Sequence, residues 1–508
     1  MKNKKILSLT LLLAAGSLLT LSCKKLPQNT YTVVPVDQFY QTPQQINAGI
    51  VAPPYTALTP LQTENVFQLN EASTDEMIIP IRGNDWYDGG VHTQLWTHNV
   101  AVDNSNDNGG WTDLSAGITK CNFSISILNS LKNKPSNAAA IAAEISVLRD
   151  YYLFLMTDLY GNIPLITSYD ANASLAPVSR ATVYAYIEAD LLKNIPLLSA
   201  DNSTGNTAIY GHFNQWAGYM LLTKLYLNAQ VYTGTPQWDK ALTYANMVIN
   251  SNKYSLQPNF LDNFTYSNRG SVENIFCIPF NYPLIKGNVI QMYTLNYNNN
   301  LTFGLTAQPY NGFCAPTAFY RTFTDADKRK KMWLVGQQYT ATGAAIAGVV
   351  LSPYVNELSN PADSFKYAGA RSVKYQPQPG TGSDGTSNDG VRFRLADAYM
   401  MAAEAQLHLG DLNGALTNVN KIRTRAGVAN LTSLSFDDLL AERGREFAWE
   451  GWRRNDLIRF EVATGKTYFT GARVPGKAQD AADNHTFLFP IPQPQINTNP
   501  LLKQNPGY

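Results

Sequence analysis

The chain runs to 508 residues with a formal net charge of +1, and charged residues make up only 15% of it. That balance excludes the basic footprint nucleic-acid binding needs, and it falls well below the roughly 25% charge of an average soluble chain. With 29 Tyr and 8 Trp, a surface of amides, hydroxyls and rings suits an uncharged polyhydroxylated ligand, since rings offer flat apolar faces and amides both donate and accept.

Lys2, Lys4 and Lys5 precede an apolar run from Ile6 to Leu21, which ends in Leu-Ser-Cys at 21–23. The pattern reads as a secretory signal over residues 1–22, with Cys23 the first residue of the mature chain and lipidated. The run is too short and too interrupted for a membrane span. Acyl chains on Cys23 would hold the protein at a membrane surface, at about 0.8 kcal/mol per buried methylene. An ordinary cleaved signal is the alternative, and on either reading the protein leaves the cytoplasm. Residues 23–45, with Pro27, Pro35 and Pro43, read as a tether. Residues 46–508 read as a single domain.

Helical signals dominate that domain. Ala138 to Tyr160 places Ile141, Ile145, Leu148, Tyr152 and Leu155 at helical spacing, and Gly161 and Pro164 end it. Phe213 to Ala229 forms a second apolar face, and Gly234-Thr-Pro236 makes a turn into Trp238 to Asn250. Leu395 to Leu409 repeats the plan, with Gly410 as stop, Asp411 as cap and Leu412, Ala415, Leu416, Val419 and Ile422 continuing the apolar stripe. Paired helices whose small residues allow close approach predict tetratricopeptide-like hairpins. The fold class is therefore mostly α, a scaffold of such hairpins with minor β and long insertions near 60–110, 255–390 and 460–490. Within the second insertion, Thr381 to Asn388 (TGSDGTSN) reads as an exposed flexible loop.

The chemistry-bearing residues do not assemble into a catalytic motif. The block from Glu442 to Asp456 interleaves carboxylates with Arg443, Arg445, Arg453 and Arg454 at one-turn spacing, which predicts structural ion pairs in place of the two separated carboxylates of a glycosidase. The five histidines form no zinc pattern, and there is no nucleophile elbow. Asp325 and Asp327 beside Lys328, Arg329 and Lys330 read as a solvated charged turn, so a structural calcium ion has no support. With Cys23 acylated, Cys121, Cys277 and Cys314 are an odd, widely spaced set, expected to be buried and unpaired. No cofactor is expected.

Four segments together resemble the SusD/RagB family of nutrient-uptake lipoproteins. They are Leu148–Pro164 (LRDYYLFLMTDLYGNIP), Phe213–Asn228 (FNQWAGYMLLTKLYLN), Arg394–Gly427 followed by Glu442–Arg459 (ERGREFAWEGWRRNDLIR), and Phe489–Tyr508 (FPIPQPQINTNPLLKQNPGY). The resemblance implies a mostly helical fold built on about four tetratricopeptide-like pairs, and no enzymatic activity. It also implies a lipoprotein at the outer membrane that captures oligosaccharide and passes it to a SusC-like TonB-dependent barrel. Lys24 and Lys25 follow Cys23 where such surface lipoproteins often carry acidic residues, so the leaflet stays open. Alternatives with the same architecture are a peptide or glycopeptide cargo, or a protein-only adaptor; a secreted hydrolase is a further one.

The resemblance also implies stacking rings in the first insertion and mid-chain, and loops held by a rigid scaffold carry function. In the first insertion Trp86 and Tyr87, set among glycines, are the expected exposed platform, with Arg82, Asn84 and Asp85 bonding hydroxyls and Trp96 a further candidate. Mid-chain, Tyr293, Tyr297, Asn298 and Tyr310 are the candidates. Trp111 begins a helix and is assigned to scaffold.

Overall fold

A computed structural model describes residues 39–170, 175–204 and 208–508. Cys23, the signal segment and residues 24–38 of the tether lie outside the described residues. The longer helices are α1 (Asn65–Glu71), α2 (Val91–Thr97), α3 (Ser105–Ser130), α4 (Ala138–Tyr160), α5 (Arg180–Asn194), α6 (Gln215–Leu227), α7 (Trp238–Asn250), α8 (Leu395–His408), α9 (Leu412–Ala426), α10 (Phe436–Phe447) and α11 (Arg453–Thr464). Among the described residues the strands join only in pairs. β1 (Asn274–Ile278) pairs with β6 (Gly390–Arg394), β2 (Trp333–Leu334) with β5 (Arg371–Ser372), and β3 (Gly336–Tyr339) with β4 (Ala345–Leu351), all antiparallel.

Helices α3 and α4, α6 and α7, α8 and α9, and α10 and α11 pack as hairpins, and α7 against α8 joins the second pair to the third. This is the tetratricopeptide-like scaffold the sequence predicts, each hairpin burying a face that its neighbour completes. Close approach depends on small residues. A Cβ on Gly117 of α3 would lie 2.6 Å from the Tyr152 ring of α4, and Ala398, Ala402 and Ala405 of α8 are fully buried. From Val147 to Tyr160 α4 is enclosed on every side. Gly161 ends it with φ 74°, where a Cβ would meet Leu488 at 2.7 Å. Trp238 and His408 stack at 3.9 Å, fastening α7 to α8.

Three expectations change. Helix α6 starts at Gln215 and not Phe213, because the Asn214 side chain accepts from Ala217 N–H at 2.9 Å and caps it. The first insertion contains α1 and α2, and α3 begins inside it. The segment Thr381–Asn388 is largely tucked in. The Asn388 amide donates to Phe264 O at 2.8 Å and Gln376 O at 3.2 Å, and the Gln291 amide donates to Thr381 Oγ1 at 2.9 Å. Only Ser383 and Asp384 are exposed. Its polar composition serves buried hydrogen bonds, not solvent.

The Glu442–Asp456 block is a buried ion-pair lattice. Arg394 bridges Glu273 at 2.9 Å, Glu446 at 2.6 Å and Glu450 at 2.7 Å. Arg329 reaches Glu442 at 2.7 Å and Glu446 at 3.1 Å, Arg425 also grips Glu446, and Lys374 reaches Glu450 at 2.6 Å. Beside it Arg443 and Arg459 share Asp456, and Lys224 pairs with Asp397. Burial works to raise the Glu446 carboxyl, but Arg425, Arg394 and Arg329 outweigh it and hold the group well below the usual carboxylate range. The turn at 325–330 is only half solvated. Asp325 pairs with Lys330 in solvent, whereas Asp327 and Arg329 are buried at the edge of the lattice. Cys121, Cys277 and Cys314 are buried and unpaired.

Candidate functional site

On the insertion side of the scaffold lies an open cavity of about 770 Å³, walled by Trp86, Tyr293, Tyr297 and Tyr310 together with Glu64, Asp85, Asp88 and several amides. Its construction begins with a tight hairpin in which Arg82 and Asp85 exchange backbone hydrogen bonds at 3.0 and 3.1 Å. Gly83, Gly89 and Gly90 take positive φ, and so do Trp86 (67°) and Asp88 (42°). Left-handed backbone at a bulky residue is strained and is sustained only where surrounding contacts fix it.

Those contacts are visible around Trp86. Its Nε1–H donates to Tyr310 O at 2.6 Å. Its ring lies 5.6 Å from Tyr293, 5.6 Å from Phe313 and 5.5 Å from His92. It passes so close to Gly312 that a Cβ there would sit 2.3 Å from the indole. The second wall is folded back on itself. Tyr310 N–H donates to Met292 O at 2.6 Å, and Gly312 and Phe313 N–H both donate to Tyr293 O. Tyr293 then stacks on Phe313 at 4.9 Å and meets Tyr310 edge-on at 5.6 Å.

Polar groups fill the gaps between rings. The Tyr293 hydroxyl donates to Glu64 at 3.3 Å and the Tyr297 hydroxyl donates to Asp85. Burial raises the Glu64 carboxyl, which the Tyr293 bond partly opposes. Burial and then Asp85 push the Tyr297 hydroxyl up to about 12. Burial lowers the His92 imidazole, against the pull of Asp88 at 3.3 Å. Asn106 donates to Gln68 Oε1 at 2.9 Å. The side-chain amides of Asn84 and Gln308 line the cavity. They are free to donate to and accept from a ligand.

The structure thus gathers Trp86, Asn84, Asp85, Tyr293, Tyr297 and Tyr310 at one cavity. It separates the rest. Trp96 is a correction: it is 1% exposed on the inner face of α2, among Ile78, Cys314, Val355 and Phe365, and its Nε1–H donates to Pro475 O at 2.5 Å. Arg82 is another. Its buried guanidinium donates to Phe365 O at 2.6 Å and Ala368 O at 2.9 Å, so it pins the hairpin from behind and does not line this cavity. The expected Trp86–Tyr87 platform splits. Trp86 becomes a half-buried wall, and Tyr87, 59% exposed, falls outside the cavity lining. Asn298 also lies outside it, leading into the short helix Asn299–Phe303. Trp111 is scaffold on α3, bordering a smaller apolar cleft of about 150 Å³. Glu64, Gln68, His92, Asn106 and Gln308 were not read from the sequence. Of these only Glu64 and Gln68 carried a signal, their four-residue spacing at the start of α1.

Residues 227–508 match the SusD family, and residues 40–227 match a family described as starch-binding, associating with the outer membrane. The starch-binding protein SusD of Bacteroides thetaiotaomicron is 34% identical over 117 residues, 23% of this chain and 21% of that protein. The aligned stretch is thus about a fifth of that relative's length. Over the whole fold, a SusD superfamily protein of Parabacteroides distasonis superposes with a TM-score of 0.76 at 19% identity, covering 92% of this chain and 100% of that one. Surface glycan-binding protein A of Bacteroides thetaiotaomicron, solved with laminarihexaose, gives 0.71 at 18% identity, covering 91% and 99%. At these identities the structural likeness is one of fold.

Proposed function

The chain belongs to the SusD family, and from that premise we propose that it is a glycan-binding lipoprotein of the outer membrane which captures oligosaccharide without cleaving it and delivers it to a SusC-like TonB-dependent barrel. The observation that carries the reading is the cavity itself. Trp86, Tyr293 and Tyr310 present rings to one space, and Asn84 and Gln308 add amides able to both donate and accept. Rings against the apolar faces of a sugar and amides against its hydroxyls are the matching chemistry. The wall carboxylates support binding over hydrolysis, because Glu64 and Asp85 each accept from a tyrosine hydroxyl and Asp88 pairs with His92. Tethering beside a barrel raises the effective ligand concentration, so modest intrinsic affinity suffices.

Tyr310 gives the cleanest test. It is 37% exposed, and its backbone, not its hydroxyl, holds the wall together. Tyr310→Ala is expected to weaken binding of an oligosaccharide found by screening roughly five- to tenfold in calorimetry, within the range of one truncated aromatic contact. The melting temperature should change little. Unchanged affinity, or turnover of the bound sugar by purified protein, would overturn the reading. The anchor is tested separately. Cys23→Ala should move the protein from the membrane to the soluble fraction, since without acyl chains nothing holds it at the lipid.

A further inference from the structure

We propose that the cavity sorts glycans by charge, admitting neutral and amino-bearing sugars and excluding those that carry uronate or sulfate groups. The inference rests on the glycan reading above and specifies the ligand class of that same site. Asp85 and Asp88 project from the exposed turn at 82–90, Glu64 adds a third carboxyl that burial pushes toward its neutral form, and no Lys or Arg lines the cavity. The one basic side chain there is His92, whose burial keeps its imidazole neutral near pH 7. Two guanidiniums stand behind the Arg82–Asp85 hairpin; both lie near enough to act on the Tyr297 hydroxyl of the wall, but neither lines the cavity. Arg82 donates to Phe365 O and Ala368 O, and Arg371 donates to Ala368 O, Gly369 O and Asn311 Oδ1. Their hydrogen bonds go to the fold, and Arg82 Nε, which has no partner, is buried.

Hydrogen-bond chemistry points the same way as charge. An ionised carboxylate only accepts. A sugar hydroxyl or an ammonium brings the hydrogen such a wall requires, whereas a uronate or a sulfate ester brings only acceptors and leaves facing oxygens with no proton between them. The concave, ring-lined surface strengthens this by focusing the field of the acidic groups. An ammonium gains twice, from the carboxylates and from the faces of Trp86, Tyr293 and Tyr310. Like-charge juxtaposition of this kind is how binding sites turn away wrong partners.

The test uses the soluble Cys23→Ala full chain on an array of printed oligosaccharides that includes neutral, amino-bearing, uronate-bearing and sulfated members of matched length. Binding confined to neutral and amino-bearing members, with acidic counterparts weaker by roughly tenfold or more, supports the inference. An acidic oligosaccharide bound as tightly as its neutral counterpart overturns it while leaving the glycan reading intact. Silence across the whole array removes the glycan reading and this inference with it. A second arm is the double variant Asp85→Asn, Asp88→Asn, in a strongly exposed turn (Asp88 side chain 60% exposed). It should bring acidic oligosaccharides to within about threefold of their neutral counterparts. If it rejects them as strongly as the parent, the carboxylates are not the filter and the inference fails.

Discussion

Glu446→Ala should destabilise the protein by about 3–5 kcal/mol, the cost of removing one partner from a buried charge lattice, measured by denaturant unfolding or seen as failure to accumulate folded chain. The carboxylate is fully buried and receives Arg329, Arg394 and Arg425 together. Its loss leaves guanidiniums without their counter-charge in a low-dielectric interior. The stability itself is not what the pair adds over an apolar core; the penalty is for breaking it. A second substitution, Arg425→Met, made on top of the first should therefore recover part of the loss. Acid acts on the same groups. The Glu446 and Asp456 carboxyls are held below their ordinary values in the fold, burial being outweighed by arginines. Their contribution is present above the unfolded carboxylate range and is lost as pH falls below about 4.5 toward the folded values. Melting curves from neutral pH to about pH 3 should show this decline in the parent and a shallower one in Glu446→Ala. Equal stability of variant and parent would mean the lattice does not hold the scaffold together.

Trp86→Ala should weaken oligosaccharide binding by about 30-fold or more, since a tryptophan at the centre of a contact surface is commonly worth at least about 2 kcal/mol. The melting temperature should also fall, because the indole supports Tyr293 and Phe313 and closes over Gly312. Trp86→Phe separates the two effects. It keeps most of the packing, gives up the Nε1–H bond to Tyr310 O, and should lose affinity by an intermediate factor at a nearly unchanged melting temperature. If neither variant shifts the affinity, Trp86 is structural only and the binding surface lies elsewhere.

The scaffold was legible in the sequence because its signals are local. Stripes such as Ile141, Ile145 and Leu148, with stops at Gly161 and Gly410, depend on neighbours three or four residues away, and α4, α7 and α9 fall where those signals place them. The cavity was legible in part. An aromatic among glycines marked the Arg82–Gly90 turn, but which ring faces the cavity depends on partners more than 200 residues distant, such as Tyr310 O for Trp86. Trp96 and Trp86 look alike in sequence. The difference is that Pro475 O and the Arg473 guanidinium, far along the chain, complete a pocket around Trp96. Arg82 departs from its expected place for the same reason, since its acceptors are Phe365 O and Ala368 O. The polar run at 381–388 carried a surface composition, yet its amides serve backbone carbonyls that no local pattern reveals.

The hairpin that carries Trp86 is pinned by Arg82 to carbonyls at 365 and 368 and roofed by the backbone at 310–312. The cavity is therefore the property of a finished polypeptide and not of a detachable module. Transplanting the Arg82–Gly90 turn onto another scaffold would carry over its letters but none of its grip, and any redesign of specificity has to treat three distant stretches of chain as one unit.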